Sequence, residues 1–377
     1  MKTSHHWNLW TVVFFVGGIL GLSSCREKPV STTTKDSVDV EDTSTSEPDT
    51  GLNGGSSGTT DSSETDTADE TDTVVDPIET GMVEDTGKPV DCSEQTDTKD
   101  TGLAHSFRQS TCLYQEIGLG STHGCGLLFN GKIVCWGEDT NGSVSTVPDG
   151  EYSDISVGED HACAVSLDSK LVCWGYNGWG QASPPNTGEF LSVSAGGYHT
   201  CAVDAAKRLH CWGIEIDEGK GYGQVTDTPE GLFDSVYAGG YHNCGIDAEG
   251  VSHCWGSNEH GQLNLPSATF VQFGMMGNKT CGLTELGETM CFGQLFAEYV
   301  PKTGNLYEYI GAGAGHACGI VSGGELECWG YDWGFLLESP AGVYVDVSGG
   351  TFSTCALREN GQAVCWGENN YGQTTPP

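Results

Sequence analysis

The chain has 377 residues, enough for one large domain or two of ordinary size. It carries 52 acidic and 15 basic side chains, and this excess of negative charge repels phosphate backbones, which argues against nucleic acid as a partner. Its 17 cysteines are unusual for a reducing cytosol unless they bind metal, but they are typical of proteins that fold in an oxidising compartment.

The N-terminus has the layout of an export signal, with Lys2 ahead of an apolar stretch that is short for a bilayer span of about 20 residues. The motif LSSC at residues 22–25 resembles a bacterial lipobox, which implies cleavage before Cys25 and a diacylglycerol group on its thiol. We therefore predict a lipoprotein signal peptide over residues 1–24; an ordinary cleaved signal and an uncleaved membrane anchor are the alternatives. Because Arg26 follows the cysteine, we expect a lipid-anchored protein of the cell envelope, at the outer membrane or cell surface of a Gram-negative bacterium.

Residues 25–102 are predicted to form a disordered acidic tether. From residue 26 to 102 there is no Phe, Tyr or Trp, and 21 acidic side chains stand against 5 basic ones. Such a segment buries too little apolar surface to offset the entropy lost on ordering. Its clustered aspartates do not match the twelve-residue calcium-binding loop, so we interpret the segment as a solvated spacer rather than a calcium site.

From residue 114 onward the chain repeats seven times, and each unit contains two cysteines ten positions apart. We number each unit from its first cysteine, position 0; the spacings between units are 38, 38, 43, 37, 37 and 37 residues. The seven pairs are Cys125 and Cys135, Cys163 and Cys173, Cys201 and Cys211, Cys244 and Cys254, Cys281 and Cys291, Cys318 and Cys328, and Cys355 and Cys365.

The pattern within each unit predicts an antiparallel hairpin. A small residue at position +1 and an aliphatic residue at +2 alternate as in a strand, and an aromatic residue stands at −11 in every unit. Position +6 is glycine in five units, with Ser169 and Lys207 in the others, which fits the left-handed residue of a three-residue hairpin loop. This loop places the two cysteines directly opposite each other, where Cα atoms lie about 4.5 Å apart, and a disulfide accepts that separation.

The cysteines are therefore predicted to form disulfides rather than metal or redox sites. Zinc ligands stand two to four residues apart, and the sequence contains no Cys-x-x-Cys. Cys92 and Cys112 are predicted to form an eighth bridge that pins the end of the tether to the first unit. The histidine at position −2 of five units is interpreted as a repeated structural residue, and we expect neither metal nor cofactor.

An aromatic residue and a glycine occupy positions +11 and +12 of all seven units. We interpret the rings as a packing layer between units rather than a ligand cage, because a ligand site seldom needs the same group in every unit. The Gly-Gln pairs that precede a proline near the end of several units are attributed to turn chemistry.

The run Gly-x-x-His-x-Cys-Ala-Val, a hairpin, Cys-Trp-Gly, Gly-Gln and Pro resembles the repeat of the regulator of chromosome condensation family. The resemblance covers about residues 106–377 and implies an all-β fold, a seven-bladed β-propeller over residues 103–377, with four-stranded blades closed into a ring. The fifth unit departs most from the pattern, with Met276, Lys279 and Phe292 where other units carry Gly, His and Trp.

The resemblance does not transfer the activity of the family's namesake, a nucleotide-exchange factor that binds chromatin through basic surfaces. No residue of its functional set is matched here, and the propeller has 31 acidic and 9 basic residues. A secreted β-lactamase inhibitory protein of the same propeller type, which binds a protein partner with the loops of one face, is the closer analogy.

We expect a monomeric, non-enzymatic propeller that binds a protein or a glycan through the loops after the aromatic-Gly pairs. The residues predicted to contact the partner are Tyr176, Trp179, Glu215, Asp217, Tyr331, Trp333 and Tyr371. The alternative for the aromatic residues is that they only pack their own turns.

No catalytic residue is predicted, because the sequence contains no nucleophile elbow, P-loop or zincin helix. The alternative function is that of an extracellular propeller hydrolase or lyase acting on polysaccharides. That activity requires two or three carboxylates with raised pKa values near the central channel.

Overall fold

The computed structural model describes residues 108–214, 221–294, 301, 304–332 and 336–377, all within the unit Gly81–Pro377. The predicted signal peptide, the lipidated Cys25, the tether and Cys92 lie outside the described residues. The described part of the chain contains no helix with the length and hydrophobicity of a membrane span.

The described residues form 21 strands, three for each repeat unit, and a short 3₁₀ turn at Thr140–Gly142. In chain order the strands are β1 (Arg108–Leu119), β2 (His123–Leu128), β3 (Ile133–Gly137), β4 (Tyr152–Val157), β5 (His161–Ser166), β6 (Leu171–Gly175), β7 (Phe190–Ala195), β8 (His199–Asp204), β9 (Leu209–Gly213), β10 (Phe233–Ala238), β11 (His242–Asp247), β12 (Ser252–Gly256), β13 (Phe270–Met276), β14 (Lys279–Thr284), β15 (Thr289–Gly293), β16 (Tyr307–Ala312), β17 (His316–Val321), β18 (Leu326–Gly330), β19 (Tyr344–Gly349), β20 (Ser353–Arg358) and β21 (Gln362–Gly367).

Each unit is one blade of antiparallel strands, and the seven blades form a propeller. The first strands of all seven blades line a central channel of about 260 Å³. Strand β1 closes the ring: its second half pairs with β2 of blade 1, and its first half pairs with β21 of blade 7, from Arg108 opposite Cys365 to Leu113 opposite Gln362. The predicted seven-bladed all-β propeller is therefore confirmed.

The prediction of four-stranded blades is wrong for blades 1, 2 and 4, whose described sheets have three strands, whereas β1 supplies the fourth strand of blade 7. In blades 1, 2 and 4 the segment after the third strand forms turns and irregular structure instead. In blade 2, for example, Gly180 has φ +84° and its N–H donates to Asn177 O at 3.2 Å. In a unit of 37 or 38 residues, these turns take up the residues after the third strand, so too few remain to form a fourth strand.

The hairpin prediction is confirmed, including its cysteine register. All seven cysteine pairs stand directly opposite each other and form disulfides, with Cα atoms 4.0 to 4.1 Å apart. The two non-glycine residues at position +6, Ser169 and Lys207, both adopt φ +62°, as the left-handed position requires. Cys112 is also disulfide-bonded, and its pairing with Cys92 stays a prediction.

The hydrophobic core lies between successive blades. Between blades 1 and 2, for example, Leu127 and Ile133 of one blade pack with Tyr152, Ile155 and Trp174 of the next. The aromatic residue at −11 and the tryptophan at +11 both belong to this layer, so the predicted packing layer between units is present. Because each blade needs its neighbour to bury this surface, the closed ring is the stable unit.

Candidate functional site

The strand connections divide the propeller into two faces. The loop face carries the turns between first and second strands and the segments that follow the third strands. These two parts are joined by backbone hydrogen bonds, such as the one from Tyr176 N–H to Asp160 O at 2.8 Å. The hairpin face carries the hairpins between second and third strands and the starts of the first strands, joined for example by Leu167 N–H and Glu151 O at 3.0 Å.

The histidines at position −2 are buried links between neighbouring blades. His161 Nε2 lies 2.8 Å from Thr200 Oγ1 of the next blade. The hydroxyl of Thr200 donates to Gln181 O at 2.9 Å, which assigns the imidazole proton to Nε2 of His161. Burial lowers the pKa of His161 to about 3, so the ring is neutral at pH 7. The same link joins His199 to Asn243, His242 to Thr280 and His316 to Thr354.

Three positions lack this link because the next blade offers no hydroxyl or amide at position −1. The pairs concerned are His123 and Ala162, Lys279 and Ala317, and Ser353 and Gly124. The ammonium of Lys279 donates to Ala314 O instead, whereas His123 Nε2 has no hydrogen-bond partner in the described structure. Within the described ranges, no three His, Cys, Asp or Glu side chains come together as metal ligands would.

The glutamine of each Gly-Gln pair is buried and links blades as well as shaping its own turn. Gln181 Oε1 accepts the backbone N–H of Trp179 at 3.0 Å, and Gln181 O accepts the indole N–H of Trp212 from the next blade at 2.9 Å. Gln224, Gln262 and Gln373 hold their turns in the same way. The interpretation of these glutamines as turn residues was therefore incomplete, because they also connect neighbouring blades.

Position −9 of four blades lines the central channel, with Glu116, Gln272, Tyr309 and Asp346, and sequence reasoning missed it. A bulge after the aromatic at −11 shifts the register in every blade, as between Tyr152 and Asp154. Three carboxylates occupy this position, namely Glu116, Asp154 and Asp346. Comparison of the seven units does not single out this position, because the other blades carry Ser, Gln or Tyr there.

The three carboxylates have raised pKa values. Burial raises the pKa of Asp154 to about 7 and that of Asp346 to about 6. The pKa of Glu116 is also raised, first by burial and then by the charges of Asp154 and Asp346. Glu116 and Asp346 line the channel, so it contains two carboxylates of the kind that the alternative, enzymatic interpretation requires.

Each of these carboxylates also has a structural task between blades. Glu116 Oε2 accepts the backbone N–H of Ile155 at 3.3 Å, and Asp154 Oδ2 accepts that of Val193 at 2.8 Å. Asp346 accepts the backbone N–H of Ile117 across the ring closure. Gln272 Oε1 makes the equivalent contact with Ile310 N–H at 3.1 Å, so an uncharged side chain performs the same task.

The residues predicted to bind a partner lie on the loop face where they are described, but in three different blades. Tyr176 and Trp179 are half-buried in blade 2. Tyr331 of blade 6 and Tyr371 of blade 7 are 46% and 49% exposed. The other predicted residues, Glu215, Asp217 and Trp333, lie outside the described residues.

A cluster of three tyrosines on the loop face was not predicted. The rings of Tyr198 and Tyr241 are stacked with centroids 5.1 Å apart, and Tyr222 meets Tyr241 edge-on at 5.7 Å. Tyr222 donates a hydrogen bond from its hydroxyl to Glu259, and the charge of Glu159 acts on Tyr241. We call these five residues the tyrosine patch. Its only sequence signal is the run Gly-Gly-Tyr-His, which occurs in units 3 and 4 alone.

The described lysines and arginines are distributed unevenly between the two faces. Five of them belong to the hairpin side of the molecule: Lys132, Lys170, Lys207, Arg208 and Arg358. Of the other two, Lys279 is 4% exposed beneath the loop face, and Arg108 stands in β1 opposite Cys365. Among the side chains that the structure describes, the loop face therefore presents carboxylates and no exposed lysine or arginine, whereas Lys220 and Lys302 lie outside the described residues.

The hairpin face carries exposed apolar side chains, one or two in each blade. They are Phe129, Leu167, Leu191, Leu232, Val251, Val271, Leu286, Leu306, Val343 and Val345. Each stands at a repeat position near a hairpin or at the start of a first strand, so they follow the ring rather than a single sector.

The family model of the regulator of chromosome condensation (RCC1) repeat matches residues 115–143, 152–181, 190–224, 233–262 and 344–373, which are units 1 to 4 and 7. Units 5 and 6 are not matched but have the same strands and the same disulfide. No curated protein matches the sequence.

Solved propellers share the fold at low identity. The CRINKLY WD40 ectodomain of the Arabidopsis thaliana receptor kinase ACR4 is 22% identical with a TM-score of 0.58, and the alignment covers 72% of this chain and 99% of that one. The ectodomain of the Physcomitrella patens receptor kinase CR4 is 21% identical with a TM-score of 0.58, over 70% and 74% of the two chains.

Prp20p from Saccharomyces cerevisiae, described with its binding to Gsp1p and histones, is 13% identical with a TM-score of 0.53 and aligns over 68% of this chain and 83% of its own. At these identities the similarity concerns the fold alone. The matched repeats and the closed ring lead to one conclusion: five of the seven units of this chain are repeats similar to those of the regulator of chromosome condensation family, and the ring has the propeller fold that such repeats form.

Proposed function

We propose that this protein is a lipid-anchored, non-enzymatic binding propeller of the cell envelope that engages a partner protein through its loop face. The observation that carries the proposal is the tyrosine patch, because it is the one aromatic cluster described on that face that does not recur from blade to blade. Aromatic residues on variable loops supply large contact areas for protein partners. The exposed Tyr331 and Tyr371 extend the aromatic character of the same face.

The repeated residues support this division of labour. Histidine, threonine, tryptophan and glutamine side chains at fixed positions are occupied by hydrogen bonds between blades. Partner binding is therefore assigned to the loops, where the units differ in sequence. The seven disulfides favour an oxidising compartment, and the lipobox-like motif at Cys25 is the basis for the anchor.

Site-specific photo-cross-linking tests the proposal. A photoreactive amino acid replaces Tyr222 or Tyr371 on the loop face, and Phe129 or Leu286 serves as the matched position on the hairpin face. The full, lipidated chain is displayed on intact cells, and the cells are illuminated in the presence of the proteins of their growth medium. We expect one cross-linked protein from both loop-face positions and none from the other pair. Cross-links from the hairpin-face positions alone would overturn the proposal.

A second candidate function rests on Glu116, Asp154 and Asp346. Carboxylates with raised pKa values in a channel are typical of glycosidase acids and bases, so a polysaccharide hydrolase or lyase is the alternative. The full chain is assayed against a polysaccharide library beside its Asp154→Asn variant. Turnover by the native protein that is lost in this variant, while the fold is kept, would establish the enzyme.

A further inference from the structure

The tyrosine patch has rings and carboxylates arranged side by side. Tyr198 and Tyr241 come from the turns of two adjacent blades, and Tyr222 reaches them from the loop after the third strand of blade 3. The three tyrosines are half-buried, whereas Glu259 is exposed. Because the hydroxyl of Tyr222 is engaged by Glu259, its ring and that of Tyr241 are what the patch offers for contact.

The carboxylate of Glu159 continues the patch toward the channel. Glu159 Oε1 lies 3.0 Å from the place that a Cβ on Gly197 would occupy, so it sits directly over the turn that leads into Tyr198. Burial raises the pKa of Tyr241, with further contributions from Tyr198 and the charge of Glu159. The phenol of Tyr241 is therefore held neutral beside the carboxylate of Glu159.

The charged side chains that the structure describes around the patch are all negative. Glu138 and Asp160 of the neighbouring blades stand on the same face, and the pKa of Asp160 is raised by burial and by the charge of Glu138. Among the described residues this face presents no exposed lysine or arginine that would neutralise them. A partner of opposite charge is attracted to such a surface at long range and gains locally from each carboxylate.

We propose that the tyrosine patch binds a lysine- or arginine-bearing segment of the partner protein. The cationic group lies against the ring of Tyr241 or Tyr222, where the ring's quadrupole attracts it, and Glu159 and Glu259 pair with it from the sides. This inference rests on the proposed function and adds the chemistry of the partner. A glycan stacked on the same rings is the outcome that the test has to separate from it.

The test measures binding of the full chain to three synthetic twelve-residue peptides that differ only in carrying Arg, Gln or Glu at four positions. We expect the Arg peptide alone to bind, with affinity that falls as salt rises. Glu159→Gln combined with Glu259→Gln removes two charges and should weaken binding about tenfold, since an exposed ion pair contributes up to about fivefold each. Tyr241→Leu and Tyr222→Leu should each weaken binding about two- to fivefold at every salt concentration, because they remove a cation–π contact.

The matched control is Glu249→Gln combined with Glu285→Gln, which removes two exposed charges from the hairpin face. This control should change affinity by less than about twofold, as distant exposed charges are screened. Equal losses in both double variants would reduce the effect to non-specific attraction and overturn the inference. Binding of the Gln peptide or of an arrayed glycan, lost in Tyr241→Leu and insensitive to salt, would also overturn it.

The two proposals fail in different ways. If the loop-face cross-links form but neither tyrosine variant weakens peptide binding, the binding propeller stands and the cationic partner segment does not. If the patch binds the Arg peptide as expected but the cross-links come only from the hairpin face, the binding propeller in its loop-face form is the part that fails. Circular dichroism and thermal melting of every variant ensure that only folded proteins are compared.

Discussion

The imidazole of His161 donates from Nε2 to the hydroxyl of Thr200, 2.8 Å away and 39 residues later in the chain. The same hydroxyl donates back to Gln181 O in the blade of His161. One small side chain therefore contacts two segments of the neighbouring blade directly, and both ends of the connection are fully buried. His161, a residue type that often binds metal, here forms a hydrogen bond that links two neighbouring blades.

Thr200→Val should destabilise the propeller. Valine keeps the shape of threonine but leaves His161 Nε2–H without an acceptor and takes one donor from Gln181 O, at a cost of about 2–4 kcal/mol. Thr200→Ser keeps the hydroxyl and should cost about 1 kcal/mol or less, because it removes only a methyl group. Urea unfolding of the full chain under non-reducing conditions measures both. Equal losses in the two variants would mean that packing, and not the hydrogen bond, is what Thr200 contributes.

The buried histidines predict loss of stability in acid. Burial lowers the pKa of His161, His242 and His316 to about 3, whereas in the unfolded chain they titrate near 6.5. Below pH 6.5 the unfolded chain therefore binds more protons, and each histidine removes about 1.4 kcal/mol of stability per pH unit down to its folded pKa. Unfolding free energies measured between pH 7 and pH 4.5 should fall. Stability that rises steadily across this range would contradict the role given to the histidines.

Asp154→Asn should stabilise the protein at alkaline pH. Because the folded pKa of Asp154 is raised to about 7, the folded state holds a proton that the unfolded state releases near pH 4. Native stability from this group is therefore present at low pH and is lost as the pH rises through 7. Asparagine keeps an oxygen for Val193 N–H and does not titrate. We expect a gain of about 1–2 kcal/mol at pH 8, because the partly exposed carboxyl is screened by solvent, and a smaller difference at pH 5.

The matched variant for this prediction is Asp234→Asn, whose carboxyl is 51% exposed on the surface. It should shift stability by less than about 0.5 kcal/mol at either pH. An Asp154→Asn variant that is less stable than the native protein at pH 8 would show that its charge, rather than its hydrogen-bond acceptor, supports the ring.

Replacing Cys163 and Cys173 together by serine should lower the free energy of unfolding by a little under about 3 kcal/mol, as expected for a disulfide that closes so short a loop. Peptide mapping of the native protein without reduction should recover residues 163 and 173 in one linked fragment. Free thiols at both positions, or bound zinc in stoichiometric amount, would contradict the assignment. The same map tests the predicted link between Cys92 and Cys112.

Local features of the repeat were predictable because they depend on residues close in sequence. The cysteine register follows from a loop of fixed length, and Ser169 was recognised because glycine holds its position in other units. The contacts between blades were not predictable in this way. His161 and Thr200 belong to different units, and only the closed ring shows that position −2 of one blade meets position −1 of the next.

The residues of the candidate site also fall into two groups, those predictable from the sequence and those brought together only by the fold. Tyr331 and Tyr371 were found because their loops follow a fixed pair of residues. Tyr198 and Tyr241 stand in two units, 43 residues apart in sequence, and their stacking depends on two blades being neighbours. The channel carboxylates were missed because a bulge after position −11 sets which side chain turns inward, and no residue type marks that bulge.

Hydrogen–deuterium exchange of the full chain, alone and saturated with the protein captured by cross-linking, tests whether the partner binds the loop face. We expect slower exchange in the turns at residues 196–198, 221–224 and 239–241, which carry the tyrosine patch, and unchanged exchange in the hairpins at residues 129–131, 167–169 and 285–287. Protection confined to those hairpins would contradict it.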